Sequence, residues 1–444
     1  MRAEAQISAR KQLTNVSMQK GAFFGLSAFY FVYSARPADW IPLLSWAPLA
    51  KITGVLTLLA ALTTAGRTPR KFRDLPREAF YLLLLIVIMF ASAVLSPVWK
   101  GGAFFDTVDF AKVGVAWVLT FLLVTTLARF RRIVFIQTAS VIVICAVAII
   151  KGHSDLRLGG VIGGIYSNPN DLALAIVLSL PFCLAFLLST KTKLRKAAWS
   201  FSLLLMVAAL FMTASRAGFI DLLISGAVVL WHFGVRGKRI GLIAGVVLIA
   251  VLSFLVFGNT VVQRFSSTFR PTSQAETDEA RASYEDRKLA MERSLDAIAR
   301  YPVLGLGANC FVTYSGLWRE VHVSYLQIAA ECGIASLILY LLFFRRGFAN
   351  LKRLRRAHLD PETQLFAGAL HASLVGFVVG ACFAPVAYHY FPYFTVGYTS
   401  VLVAMVAERQ PAEASTVRLL PSPRFGYAGV HNTSGGSRAL VPSR

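Results

Sequence analysis

The chain has 444 residues, of which 56% are hydrophobic and only 15% are charged. Soluble domains are nearer half apolar and a quarter charged, and uncharged runs recur along the whole length. The composition therefore indicates a polytopic membrane protein with no separate soluble domain. A formal charge of +23 invites a nucleic-acid reading, but the placement of the basic residues argues against it.

In chain order, residues 1–20 are basic and polar and precede an apolar run. They carry no small-residue cleavage site after a short apolar core, so they read as a retained cytoplasmic leader. A membrane-crossing helix needs about 20 mostly apolar residues. Twelve such windows follow, at approximately 21–35, 50–65, 79–96, 108–128, 133–150, 169–189, 197–214, 217–233, 240–257, 322–344, 364–387 and 391–407.

The connections alternate in charge. The leader, Arg67 to Arg77, Arg129 to Arg132, Lys191 to Lys196, Arg236 to Arg239, Arg345 to Arg356 and the tail together hold about two thirds of the 45 lysines and arginines. Short basic loops stay cytoplasmic, so both termini are expected inside. The basic excess is thus a topology signal, and no nucleic-acid partner is expected. The expected architecture is an all-α polytopic membrane protein of about twelve spans. It divides into a leader, spans one to nine over 21–257, a large extracytoplasmic loop over 258–321, spans ten to twelve over 322–407, and a disordered cytoplasmic tail over 408–444.

The long loop is the exception among short connections, and structureless loops of that length are uncommon. It contains its own helix signal at about 278–301, with acidic residues at its start, Arg300 at its end and Pro302 just beyond. At 100° per residue, Tyr284, Arg287, Met291, Leu295 and Ile298 share one face, which is expected to lie against the membrane-embedded core. Arg287 is then the one arginine on an apolar face, where a charge needs a partner.

Several motifs stand apart. Arg36-Pro37-Ala38-Asp39-Trp40 is an interfacial anchor, and Asp109 and Lys112 can pair within one helical turn. In Asn168-Pro169-Asn170-Asp171, Asn168 and Asn170 sit at the start of a helix. This is either a capped helix start or a backbone-amide site for an anion or sugar. Arg216, in Ser215-Arg216-Ala217-Gly218, lies at a helix start on the same side as Arg287 and His322. Arginine suits forked recognition of phosphate, and two arginines with a histidine make a diphosphate site. His322 stands at the threshold of span ten, where a pKa near 6.5 suits acid–base work. Intramembrane carboxylates are functional suspects by default. Asp221 is one, and Glu331, one turn beyond Gln327, reads as packing or as a substrate-site residue. Tyr325 falls beside them. Four of the five cysteines lie in apolar segments and Cys310 lies in a loop, so neither a disulfide framework nor a metal site is expected.

These motifs resemble the O-antigen ligase and polymerase superfamily of bacterial envelope enzymes. The resemblance rests on three stretches: Tyr166-Ser167-Asn168-Pro169-Asn170; Ser215-Arg216-Ala217-Gly218; and the block from Arg287 through Pro302-Val303-Leu304-Gly305-Leu306-Gly307 to His322, Tyr325-Leu326 and Glu331-Cys332-Gly333. It covers roughly residues 155 to 345. The family usually has Asn after the motif histidine, where this chain has Val323.

The resemblance implies glycosyl transfer from an undecaprenyl-diphosphate-linked glycan on the periplasmic face of the inner membrane, without a cofactor or metal. Arg216 and Arg287 would hold the diphosphate and His322 would be the catalytic base. Asn168, Asn170, Tyr325 and Glu331 would be substrate-site residues. The partners implied are the lipid-linked donor, a lipid A-core or glycan acceptor, and membrane lipids. A ligase is favoured, with an O-antigen or exopolysaccharide polymerase next. A protein glycosyltransferase usually carries an extra C-terminal domain, which is not seen here. A twelve-span transporter would show two similar halves with polar residues at mid-membrane, and no half-repeat is visible.

Overall fold

The computed structural model describes residues 20–64, 68–151, 168–246, 274–317 and 319–419, with isolated positions between 153 and 166 and at 248, 251 and 255. The leader up to residue 19, the first part of the long loop and residues 420–444 lie outside the described residues. Side chains are described from 285 in the loop helix and up to 408 in the last helix.

Helix occupies at least part of each of the twelve expected windows. The helices in the first eight are α1 (20–35), α2 (Leu49–Thr64), α3 (Arg77–Val94), α4 (Lys100–Leu123), α5 (Leu127–Lys151), α6 (Pro169–Ser189), α7 (Lys193–Met212) and α8 (Arg216–Val229, continued by a π-helical turn, Leu230–Val235). The ninth, at 240–257, is helical over 240–246 and lies partly outside the described residues. The long loop contributes α9 (Gln274–Arg300) and the short α10 (Phe311–Ser315); α11 (Ser324–Arg356), α12 (Pro361–Gly380) and α13 (Tyr390–Leu419) complete the chain. Helix thus continues over 408–419, where no ordered structure was expected.

Among the described residues, eight helices are long and apolar enough to cross a membrane: α3, α5, α6, α7, α8 with its π turn, α11, α12 and α13. α2 is shorter, at 16 residues. α4 spans 24 residues but carries Lys100, Asp106, Asp109 and Lys112; the Lys112 ammonium pairs with Asp109 one turn away.

Local signals explain the helix starts. Asn168 caps α6 by accepting from the Asn170 amide at 2.9 Å, with Pro169 in the first turn. Ser215 caps α8 by accepting from the Gly218 amide at 3.1 Å. Asp360 caps α12 by accepting from the Thr363 amide at 2.9 Å. Each satisfies an amide that the helix itself leaves unpaired.

Lipid is as apolar as leucine, so helices in a membrane associate through packing and internal hydrogen bonds. The core is correspondingly aromatic and includes Tyr30, Trp117, Phe343, Tyr393 and Tyr398. One polar knot crosses it. Buried Glu78 of α3 accepts from Asn350 Nδ2 at 2.7 Å, Ser400 Oγ at 2.6 Å and Arg346 Nε at 3.3 Å. A carboxylate in this setting requires such partners, and these tie α3, α11 and α13 together.

Helix α11 is broken rather than continuous. Gly333 adopts φ 84° and ψ 169°, a region essentially reserved for glycine. The break leaves backbone groups without helical partners, and the Pro302–Gly307 loop satisfies them. Leu306 N donates to Ala330 O at 3.0 Å, Gly307 N donates to Glu331 O at 2.8 Å, and Ile334 N donates to Pro302 O at 2.9 Å. The approach is close enough that a Cβ on Gly333 would stand 2.1 Å from Val303 O. The Pro-Gly stretch is thus a plug seated in a helix break.

The buried face of α9 differs from the expected one. Ala290 and Ala297 are 3% and 0% exposed, whereas Met291 and Leu295 are 46% and 51% exposed. Ser294 is also buried. Small residues permit close approach to α11, so the packed face is rotated toward them and the larger side chains turn outward. A second cluster seals this contact, joining Ala297, Leu306, Cys310, Phe311, Val321 and Ala330 with Ala93 and Ala103. Cys310 lies in a loop, as expected, and is buried in this cluster.

Candidate active site

Two helix starts are joined at one end of the bundle. Ser215 Oγ donates to Asn170 Oδ1 at 2.7 Å, linking the N-terminus of α8 to that of α6. Gly218 permits the contact, because a Cβ there would lie 2.6 Å from Ala173 Cβ. Ser215-Arg216-Ala217-Gly218 is thus a cap, a guanidinium in the first helical position, and a close-packing glycine. Asn168 and Asn170 are the elements that hold this corner. The structure gives them capping and bracing roles, so of the two readings left open by the sequence, the capped helix start is visible in the contacts.

His322 precedes α11, and the segment from Ala381 to Tyr390 binds the first turn of that helix. Ser324 N donates to Ala381 O at 2.8 Å, Ser324 Oγ donates to Ala384 O at 2.7 Å, and Val386 N donates back to Ser324 Oγ at 2.9 Å. Ala387 N donates to Gln327 Oε1 at 3.2 Å. Tyr325 OH donates to Val378 O at 2.8 Å. Val323, at the N-cap, makes no side-chain cap. The helical turn that follows His322 is therefore anchored through Ser324, Tyr325 and Gln327, without the asparagine usual in the resembling family.

Arg216, Arg287 and His322 share one electrostatic neighbourhood. Partial burial, and then the charge of Arg216, hold the Arg287 guanidinium below its ordinary range. Burial, followed by the charges of Arg287 and then Arg319, depresses the His322 imidazole. Each effect favours the neutral form, by desolvation or by like-charge repulsion. For His322 the favoured neutral form is the one whose ring nitrogen can accept a proton.

Two expected substrate-site residues serve elsewhere. Glu331 is buried inside α11, where its Oε2 accepts from Tyr388 OH at 2.7 Å and its Oε1 accepts from Phe311 N at 3.3 Å. Its carbonyl accepts from Ser92 Oγ at 3.1 Å as well as from Gly307 N. Glu331 is therefore a bracket for the plug, because both carboxylate oxygens are used internally. Gln327, read with it as a pair, has a separate partner. Tyr325 is likewise engaged in the scaffold.

Sequence reasoning missed three neighbours. Arg319 forms a 2.6 Å ion pair with Asp286 of α9 and contributes to the field at His322. Glu320 is desolvated, which raises its carboxyl pKa. Asp171, in the first turn of α6, interacts electrostatically with Glu320 and has a buried Oδ1 without a hydrogen-bond partner among the described residues. The available signal was proximity: Arg319 and Glu320 stand three and two residues before His322.

The chain is thus a multi-pass helical membrane protein with a candidate cationic, histidine-containing site at the end of the bundle where α8 begins. Residues 201–341 match the family model described as O-Antigen ligase, a stretch that includes Arg216, Arg287 and His322. The match supports the resemblance to the O-antigen ligase and polymerase superfamily over that stretch, and suggests a glycosyltransferase-type enzyme. No curated protein matches the chain.

Proposed function

We propose that the protein is an O-antigen ligase-like glycosyltransferase, moving a glycan from undecaprenyl diphosphate to a hydroxyl of lipid A-core on the periplasmic face of the bacterial inner membrane. The observation that carries this reading is a chain of electrostatic influence, the Arg216 charge acting on Arg287 and the Arg287 charge on the His322 imidazole, whose pKa is lowered.

In this reading the two guanidiniums bind the diphosphate, each able to offer a planar fork to phosphate oxygens. His322 removes the proton from the acceptor hydroxyl as its oxygen forms a bond to the anomeric carbon. The bond from that carbon to the diphosphate oxygen breaks, and its electron pair remains on the leaving group. The charge gained there is stabilised by groups already in place, the form of catalysis that commonly contributes most. The imidazolium then loses its proton to water.

The test is reconstitution with a lipid-linked glycan, with or without lipid A-core. Product only with lipid A-core supports the ligase. Self-lengthening chains without it support a polymerase on the same scaffold. His322→Ala should lower transfer by about 10²–10⁴-fold, the usual contribution of a general base, without changing the melting temperature. Undiminished transfer by that variant removes the catalytic assignment.

A further inference from the structure

At the opposite end of the bundle, the C-terminal ends of α8 and α11 and the start of α12 enclose a cavity of about 360 Å³. Its volume falls within the range of small-molecule sites. Arg236, Arg239 and Arg355 line it, together with His232, His358 and His371, and no carboxylate is among the lining residues. The nearby acids are engaged elsewhere: Asp360 caps α12, and Glu362 pairs with Arg131 at 2.7 Å.

The backbone is adapted at this cavity. α8 ends in the π turn, closed by Arg236 N donating to Trp231 O at 2.9 Å. Such turns are rare and recur at functional sites. The turn carries His232 to a 2.8 Å hydrogen bond between its Nε2 and Nδ1 of His371 on α12. That bond fixes the two rings at the cavity wall and leaves one nitrogen on each ring for another partner. Pro361 and Gln364 bring the positive end of the α12 dipole to the same wall.

Three guanidiniums lining one cavity with no carboxylate among the described lining residues repel one another unless an anion joins them. Forked guanidiniums and ring N–H donors suit phosphoryl oxygens. The rim adds a second property. Trp231, Val235 and Ile240, next in sequence to the lining residues His232, Arg236 and Arg239, are exposed large apolar residues, and the Arg236 guanidinium lies 5.8 Å from the Trp231 ring centroid. A basic pocket between helix ends, edged by an interfacial tryptophan and aliphatic side chains, has the character of an anionic lipid headgroup site.

We infer that the cavity formed by Arg236, Arg239, Arg355, His232 and His371 seats a phosphoryl anion, carried by the headgroup of an acidic phospholipid whose chains lie along Trp231, Val235 and Ile240. This site is separate from the one holding Arg216, Arg287 and His322, and does not depend on the transfer reaction.

The experiment uses the full chain purified in neutral detergent. Retention of phosphatidylglycerol is followed by native mass spectrometry. Binding of inorganic pyrophosphate is followed separately in phosphatidylcholine nanodiscs. The wild type should retain phosphatidylglycerol, and an Arg239→Gln/Arg355→Gln double variant should bind it at least tenfold more weakly. Arg355→Gln alone, an exposed position, is the second variant if the double variant elutes as aggregate, with at least threefold weaker binding expected. Pyrophosphate binding that is weakened by the same substitutions would keep the phosphoryl site and assign it to a soluble anion. Failure of both ligands to bind, or equal binding by wild type and variants, overturns the inference.

Discussion

Replacing Gly333 with alanine tests whether the plug in the α11 break fixes the geometry of the site. The native backbone there, φ 84° and ψ 169°, costs a residue with a Cβ about 1–3 kcal/mol. The added Cβ would also stand 2.1 Å from Val303 O and 2.9 Å from Leu304 N. These are backbone atoms, so the loop has to withdraw. Withdrawal strains the bonds from Leu306 N to Ala330 O and from Gly307 N to Glu331 O, each worth about 0.5–1.5 kcal/mol net. Together these effects amount to a loss of roughly 2–6 kcal/mol.

The plug joins α9, which carries Arg287, to α11, which begins just after His322, so transfer should fall as well. The assay is thermal unfolding of the solubilised protein alongside reconstituted transfer. Gly226→Ala is the control: it is helical, nothing lies within 4 Å of its would-be Cβ, and alanine there should be neutral or stabilising by up to about 1 kcal/mol. A Gly333→Ala protein with the wild-type melting temperature and full transfer would refute the reasoning.

Other substitutions probe the site itself. Arg287→Lys keeps the charge but loses the planar fork, and should lower kcat/KM by about 10- to 100-fold, corresponding to one charge-assisted bond, with unchanged melting; full kcat/KM would remove Arg287 from the diphosphate clamp. Arg319→Gln removes one of the charges depressing His322 and releases Asp286 from its ion pair, so the imidazole pKa should rise. Because the neutral imidazole is the active form, the acid limb of the pH–rate profile should move to higher pH, and an unmoved or lowered limb would exclude that coupling. Asn170→Ala removes the acceptor of the Ser215 hydroxyl and should cost about 1 kcal/mol of stability together with part of the transfer rate, whereas an unchanged melting temperature would show that the α6–α8 brace is not needed.

Much of this protein was legible in its sequence because a membrane imposes simple rules. Apolar length set the helices, and Asn168-Pro169 marked a helix start through a cap that depends only on neighbouring residues. The motif positions Arg216, Arg287 and His322 could be named because forked cations and a titratable ring are recognisable as residue types. Contacts between distant segments were not legible. Periodicity alone directed Met291 and Leu295 inward, but α9 packs through Ala290, Ser294 and Ala297, because close approach of two backbones selects small residues.

Glu331 and Tyr325 looked available for a substrate until their partners, Tyr388, Phe311 and Val378, emerged from segments tens of residues away. The break at Gly333 was likewise hidden, because nothing local shows that a loop some thirty residues earlier supplies the missing hydrogen bonds. The sequence by itself determined a multi-pass helical protein and the chemistry of its candidate residues, since these follow from hydropathy and side-chain type. Only the tertiary structure decided which of those residues meet: backbone groups freed in an apolar medium must find partners, and where they find them depends on how the whole chain packs.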